Sequence, residues 1–283
     1  MTLRHIAHRI LPPVLVDAVR AVLGRKAALP GRFEVVGPEW PTVEDMNPGW
    51  MDSGIAATQA GRWEEFCAAC EGPVPLDVAH EATEPIPRNM AFHNTYMTFG
   101  YVLALAAAGR DRISILDWGG GLGHYAVLSK ALLPETRIEY HCKDLPAFCD
   151  KGSTLLPEAT FYSDDACLSR TYDLVVASGS LQCSREWQKV AEGLAGATGR
   201  YLYITRLPVL LSTPSVVVRQ QARIQGFNDD LLGWFLNRDD LLGHLQSLGM
   251  DLVREFYVDE YPRVEGASEQ ADVRGFLFRA TGV

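Results

Sequence analysis

Several things are scarce in this chain of 283 residues, and each scarcity removes a class of explanation. A run of roughly 18 unbroken apolar residues, the length needed to span a bilayer, is absent. No signal peptide with a small-residue cleavage site opens the sequence, so a cytoplasmic protein is expected. The six cysteines are irregularly spaced, which does not suggest a disulfide scaffold and suits a reducing compartment. Only Cys67 and Cys70 form a C-x-x-C, and no second pair or paired histidine completes a zinc site, so they read as packed thiols and no metal is expected. Positive charge is also short. With 26 Lys and Arg against 35 Asp and Glu, the net charge of -9 argues against a general nucleic-acid binder, which needs a basic footprint. The Gly-Lys-Ser/Thr of a phosphate-cradling loop is missing too.

What is present is a composition 47% hydrophobic, enough to bury a full core. The first thirty residues stand apart, with Arg4, Arg9, Arg20, Arg25 and Lys26 against Asp17 alone and aliphatic residues at helical spacing. Such a helix either packs on its own domain or makes a peripheral contact with an anionic membrane or a partner. Residues 31–95 are punctuated by Pro and Gly and carry one helical stretch, roughly Ser53 to Cys70, which fits an irregular lid. Beyond Ala91 the pattern turns regular. A helix through "TYMTFGYVLALAAAG" leads into the strand "RISILDW", followed by "RIEYHC", "ATFYS", "YDLVVAS", "RYLYITR", "DLVREFYV" and "RGFLFRA", with helices between the first five. Alternation of this kind predicts a parallel sheet covered on both faces, and the two last strands, with no helix between them, predict an antiparallel edge pair. The expected division is an N-terminal helical extension and lid over 1–95 and a ligand-binding domain over 96–283, with an insert at about 207–230 shaping the substrate site.

The most informative stretch is "ILDWGGGLGHY", with Gly119, Gly120, Gly121 and Gly123 directly after an apolar run ending in Asp117 and Trp118. Glycine is kept where the chain must turn sharply or let something approach its backbone. A dinucleotide fingerprint, G-x-G-x-x-G, fails from Gly119, where the sixth position is His124; from Gly121 the sixth position is a permitted small residue, Ala126. The arrangement that fits is acid-x-Gly-x-Gly-x-Gly, filled by Asp117, Gly119, Gly121 and Gly123, and here the chain resembles the class I S-adenosylmethionine (SAM) methyltransferases. The resemblance implies a Rossmann-like α/β fold with a seven-stranded, mostly parallel sheet, SAM as cofactor, a glycine turn beneath its methionine part, and Asp117 near its ammonium group.

A nucleoside ligand calls for a carboxylate at the end of the second strand, about 20 residues beyond the glycines, and Asp144 stands there in "IEYHCKDLP". In the resemblance Leu145 packs by the adenine, Asp164 or Asp165 accepts a bond from the adenine amino group, and Ser178, in "ASGSLQCSREW", walls the sulfonium. A solvated acidic turn is the other reading of "FYSDDACL". The Leu-Gln after the fourth strand, "YITRLPV" on the fifth and a late Trp-Phe resemble a family of methyltransferase-like proteins often associated with bacterial surface-polysaccharide and related biosynthetic genes. The sequence departs from it at Cys183, where an aromatic residue is expected, and at Gly121, where another small residue is common.

Methyl transfer is an in-line displacement that orientation alone can accelerate strongly, and a base helps when the acceptor is a hydroxyl. Of seven histidines, His93 lies just before the helix leading into the sheet and is the expected base; His124 faces pocket or solvent, and His141 reads as a core residue. Asn94, Tyr96, Tyr125 and Arg206 are expected in the pocket, with Arg219 and Arg223 either gripping an acidic group or exposed. The implied activity is methylation of a small-molecule acceptor at a hydroxyl, such as a sugar-linked one. The alternatives are a non-catalytic SAM-binding partner protein and a nicotinamide-dependent oxidoreductase.

Overall fold

The computed structural model describes residues 32–41, 53–80, 86, 88–220 and 231–281. The basic N-terminal segment lies outside the described residues, as does Arg223. The helices are α1 (Ser53–Gly61), α2 (Trp63–Glu71), α3 (Met90–Ala107), α4 (His124–Leu132), α5 (Pro146–Leu155), α6 (Trp187–Gly196) and α7 (Arg238–Ser247). The strands are β1 (Arg32–Gly37), β2 (Arg112–Trp118), β3 (Arg137–Lys143), β4 (Thr160–Tyr162), β5 (Tyr172–Ser178), β6 (Thr198–Leu210), β7 (Val216–Gln220), β8 (Leu231–Asn237), β9 (Met250–Tyr257), β10 (Arg263–Glu265) and β11 (Asp272–Ala280).

Seven of these strands form the main sheet in the order β4-β3-β2-β5-β6-β11-β9. Pairing is parallel from β4 to β6, and β11 runs antiparallel to both β6 and β9. This is the expected Rossmann-like sheet with its antiparallel C-terminal pair. Its central strands are apolar on both parities because both faces are covered. Along β2, Ile113 and Ile115 join a core with Phe66, Phe99 and Leu103, whereas Leu116 and Trp118 join one with Trp187, Leu194 and Leu245. The chain leaves β2 toward β3 on one side and later returns through β5 on the other. A crevice therefore opens beyond the carboxyl ends of these two strands.

The structure differs from expectation at five places. The predicted helix over 53–70 is two, broken at Arg62, whose side chain turns inward to bond the carbonyl of Ala79 at 3.1 Å and Glu65 at 2.7 Å. Helix α3 begins earlier than its apolar run suggests, because Asn89 caps it by accepting from Phe92 N at 3.2 Å. The insert after the fifth strand carries strands, β7 and β8, and the stretch over 32–37 is a strand rather than part of a helical lid. Finally, β10 lies between the two terminal strands and pairs with β1. Together β10, β1, β7 and β8 continue the sheet from the far half of β6 as a side lobe around Leu210, Val218 and Phe235. Short strands hid these pairings, since three to seven residues carry little periodicity.

Close packing of α5 on the sheet depends on Gly152, where a Cβ would lie 2.4 Å from the ring of Phe161 on β4. Gly152→Ala is expected to cost about 1–3 kcal/mol through overpacking. A lowered midpoint in urea at unchanged m-value would show it.

Candidate functional site

The crevice is a cavity of about 820 Å³. That volume lies toward the upper end of the roughly 300–1,000 Å³ typical of ligand pockets. Its floor is the turn after β2. Gly119 has φ +71° and Gly121 φ +59°, both left-handed values that favour glycine. Space reinforces the requirement. A Cβ on Gly119 would sit 2.3 Å from the Cβ of Ser180, whose hydroxyl donates to the Trp118 carbonyl at 2.6 Å, locking the turns after β2 and β5 together. A Cβ on Gly120 would sit 2.3 Å from Asp117 Oδ2. Gly123 serves packing instead, facing Leu156, Phe161 and Tyr140 at the start of α4 rather than the cavity.

Asp117 is wholly buried at the end of β2. Its Oδ2 accepts from the Tyr140 hydroxyl, and its Oδ1 has no hydrogen-bond partner among the described residues. Burial pushes its carboxyl up to about 7, against the Tyr140 bond and with a smaller upward push from Asp144. A buried carboxylate with an unused oxygen at a cavity wall is a socket for a donor or cation supplied by a ligand. Asp144, at the end of β3, accepts from Gly121 N and Leu145 N, each at 2.7 Å, and so clamps the glycine turn to the neighbouring strand. Leu145 and Phe148 extend this wall, and Lys143 lies 4.1 Å over the Trp118 ring.

On the opposite side, Ser178 at the end of β5 accepts from the Tyr125 hydroxyl at 3.0 Å. Arg206 reaches the cavity through a bulge in β6. Leu207 pairs with Arg274 and Ile204 with Phe276, so Thr205 and Arg206 oppose Gly275 alone. Arg206 takes φ +52° there, and a Cβ on Gly275 would meet Thr205 Oγ1 at 2.9 Å. The re-aimed guanidinium lies 4.5 Å over the Phe92 ring. Backbone strain of this kind gathers at functional sites.

The expected residues that line the cavity are Asp117, Gly119, Gly120, Gly121, Asp144, Leu145, Ser178, Tyr96, Tyr125 and Arg206. Others do not. His93 is absent from the wall, since the α3 positions that face the cavity are Phe92, Thr95 and Tyr96. Asn94 points to the Val258 carbonyl at 3.5 Å. Asp164 caps its own short turn by accepting from Ala166 N, and Asp165 is 72% exposed, 3.9 Å from Lys143. Arg219 pairs with Glu34 of β1 at 3.0 Å, outside the cavity wall.

Gln59 and His80 are among the polar wall residues that escaped the sequence reading. Gln59, four residues after Ile55 on the buried stripe of α1, lies over the glycine turn, its Oε1 2.6 Å from where a Gly121 Cβ would be. A polar residue on an apolar stripe was the available signal. His80 gave none; it is placed by the 76–80 loop, stacked on His124 with ring centroids 3.9 Å apart and its Nδ1 2.9 Å from the Tyr96 hydroxyl.

No family model and no curated protein matches the chain. Among solved structures it is similar to magnesium protoporphyrin IX methyltransferase from Synechocystis PCC 6803 with bound SAH, at 16% identity and a TM-score of 0.49 over 80% of this chain and 96% of that one. It is also similar to the sugar N-methyltransferase KedS8 from Streptoalloteichus sp. ATCC 53650, at 16% identity and 0.44 over 66% and 87%. A third is 1,6-didemethyltoxoflavin-N1-methyltransferase from Burkholderia thailandensis, at 17% identity and 0.44 over 66% and 79%.

Gly119→Ala is expected to destabilise the chain by about 2–4 kcal/mol, the sum of a left-handed backbone cost and an overpacking cost. Gly243→Ala, in α7 with open space around it, is the control and is expected to stabilise by about 0.5–1 kcal/mol. Thermal unfolding of the two variants side by side measures both.

Proposed function

We propose that the chain transfers a methyl group from S-adenosylmethionine to a hydroxyl of a small molecule. The observation that carries this reading is the buried Asp117 carboxylate, with one oxygen unused at the cavity wall beside the left-handed glycine turn. Asp117 Oδ1 would take the ammonium group, and the bare turn would admit the methionine chain against the backbone. Asp144 would accept from the ribose hydroxyls. Each of its oxygens already accepts one backbone N–H, and a carboxylate oxygen has a second lone pair to offer. Leu145 and Phe148 offer an apolar face for the adenine.

When bound, the cofactor supplies a methyl group on a positively charged sulfur, already an activated donor. The chain's own part is then to align the acceptor and exclude water, which orientation effects reward heavily. The α1–α2 region with the 76–80 loop covers one side of the cavity through Ile55, Gln59, Ala79 and His80, and the side lobe closes the other through Val218, Trp234 and Phe235. An acceptor bearing a sugar-linked hydroxyl, as the sequence resemblance suggests, would lay its ring face on the aromatic part of that wall, with Arg206 beside it. The net charge of -9 favours a small-molecule acceptor over nucleic acid. No helix among the described residues is long and apolar enough to cross a membrane.

The test is calorimetric titration with SAM, S-adenosylhomocysteine and NADH. Micromolar binding of both adenosyl ligands, lost in Asp144→Ala and absent for NADH, is the expected result; failure of both adenosyl ligands to bind would overturn the reading. Asp117 adds a pH signature. Its folded carboxyl holds a proton up to about pH 7, whereas the unfolded one releases it near 3.8, so the stability this group adds is present at low pH and lost as pH rises through 7. A cationic ligand binds the ionised form, so SAM affinity should fall by about tenfold per pH unit below 7. Asp117→Asn should bind weakly and lose that slope.

A further inference from the structure

Helix α1 turns its apolar face to the glycine turn, where Ile55 and Ala56 pack with Leu122 and with Phe148 of α5. Gln59 stands one helical turn beyond Ile55 on that face and is only 6% exposed. It lines the cavity, and its Oε1 has no hydrogen-bond partner among the described residues. The amide nitrogen makes no hydrogen bond either, although, unlike the oxygen, it is not sealed from the open space of the cavity. Rotation about the last side-chain bond exchanges the two ends, so the amide can present an acceptor or a donor to a ligand.

A buried amide with neither end paired is costly, and a leucine would fill the same volume without that cost. Its presence points to polar groups that arrive with a ligand. Asp117 Oδ1 is a second orphaned oxygen beside this turn. The two side chains stand over successive residues: a Cβ on Gly120 would meet Asp117 Oδ2 at 2.3 Å, and one on Gly121 would meet Gln59 Oε1 at 2.6 Å.

The parts of S-adenosylmethionine place different demands on such a wall. Its sulfur offers no hydrogen-bond donor, its ribose hydroxyls have Asp144, and its adenine has the apolar face of Leu145 and Phe148. The amino-acid end asks for most, with three N–H bonds on the ammonium and lone pairs on both carboxylate oxygens. Asp117 Oδ1 meets only part of this, and a charged group shielded from water needs the remainder met as well. An amide matches both charged groups, because its oxygen accepts and its nitrogen donates.

We propose that the Gln59 amide binds the amino-acid end of the cofactor, its oxygen accepting from the ammonium beside Asp117 and its nitrogen donating to the carboxylate. The assignment rests on the methyl-transfer reading. Gln59 is then a specificity-determining residue, separating a cofactor that carries the amino-acid end from a nucleoside that lacks it. The contact comes from α1, outside the main sheet, so the amino-acid end also ties that helix to the site.

The experiment is calorimetric titration of the full chain and of Gln59→Leu with two probes. One is S-adenosylhomocysteine; the other is 5′-methylthioadenosine, which keeps the adenine, ribose and sulfur and lacks the amino-acid end. Gln59→Leu is expected to weaken S-adenosylhomocysteine at least about tenfold, equivalent to about 1.4 kcal/mol, and to change 5′-methylthioadenosine by less than about twofold. Amide hydrogen exchange is a second readout: residues 55–61 should gain protection with S-adenosylhomocysteine and not with 5′-methylthioadenosine, and Gln59→Leu should lose that gain. Urea unfolding without ligand separates a packing role, since removing an unpaired polar group should leave the midpoint unchanged or raise it. Gln59→Met, unbranched like glutamine, is the second variant if leucine disturbs the helix. Equal weakening of both probes, full S-adenosylhomocysteine affinity in both variants, or a lowered urea midpoint in both would overturn the assignment. If the parent protein binds neither probe, the methyl-transfer reading falls and the assignment with it; if the parent binds S-adenosylhomocysteine and the variants bind it equally well, the role of Gln59 alone falls.

Discussion

Burial of one carboxylate, Asp117, at the mouth of the central strand is the constraint around which the rest of the site is arranged. A charge in that position is costly unless hydrogen-bonded or matched by a cation, and the chain meets only part of the demand, through Tyr140. The carboxylate also occupies the space a side chain at residue 120 would need, so the turn above it must be bare. Bareness allows left-handed backbone at residues 119 and 121, which carries the Gly121 amide to Asp144 on the next strand. A ligand cation that completes the Asp117 environment thus finds the turn and the second carboxylate already joined to it.

The other half of the cavity is built by β6 serving two sheets. Its first part pairs with β5 in the main sheet, and its end pairs with β8 in the side lobe. The bulge at residues 205–206 lies between these regions, and a strand changing partners is a natural place for one. It turns Arg206 inward, toward Phe92 of α3 and the electrostatic surroundings of His80. Segments distant in sequence, 55–80, 92–96, 206–220, 231–235 and 260–273, therefore meet over one crevice.

Legibility in the sequence followed how local each cause is. The main sheet was readable because strands buried on both faces are apolar throughout, and the glycine turn because left-handed backbone and close approach both select glycine. Asp144 was readable from its distance beyond the glycines. Asp164 and Asp165 were not separable from site residues, since an acid that caps a turn and one that meets a ligand look alike in sequence. His93 sat one helical position from the residues that do face the cavity, and a shift of 100° around a helix turns a wall residue away.

By itself, then, the sequence determined the order of strands and helices, the bare turn after β2 and the acids at the ends of β2 and β3, all consequences of neighbours a few residues apart. Only the tertiary structure decided that His80 and His124 line the cavity while His93 does not, and that residues 32–37 join a lobe with residues 216–220 and 231–237. Those outcomes depend on the loop that brings His80 to the Tyr96 hydroxyl and on strand partners far apart in sequence. Hydrogen-bond direction and strand partnership are properties of atoms brought together by folding, and no local pattern encodes them.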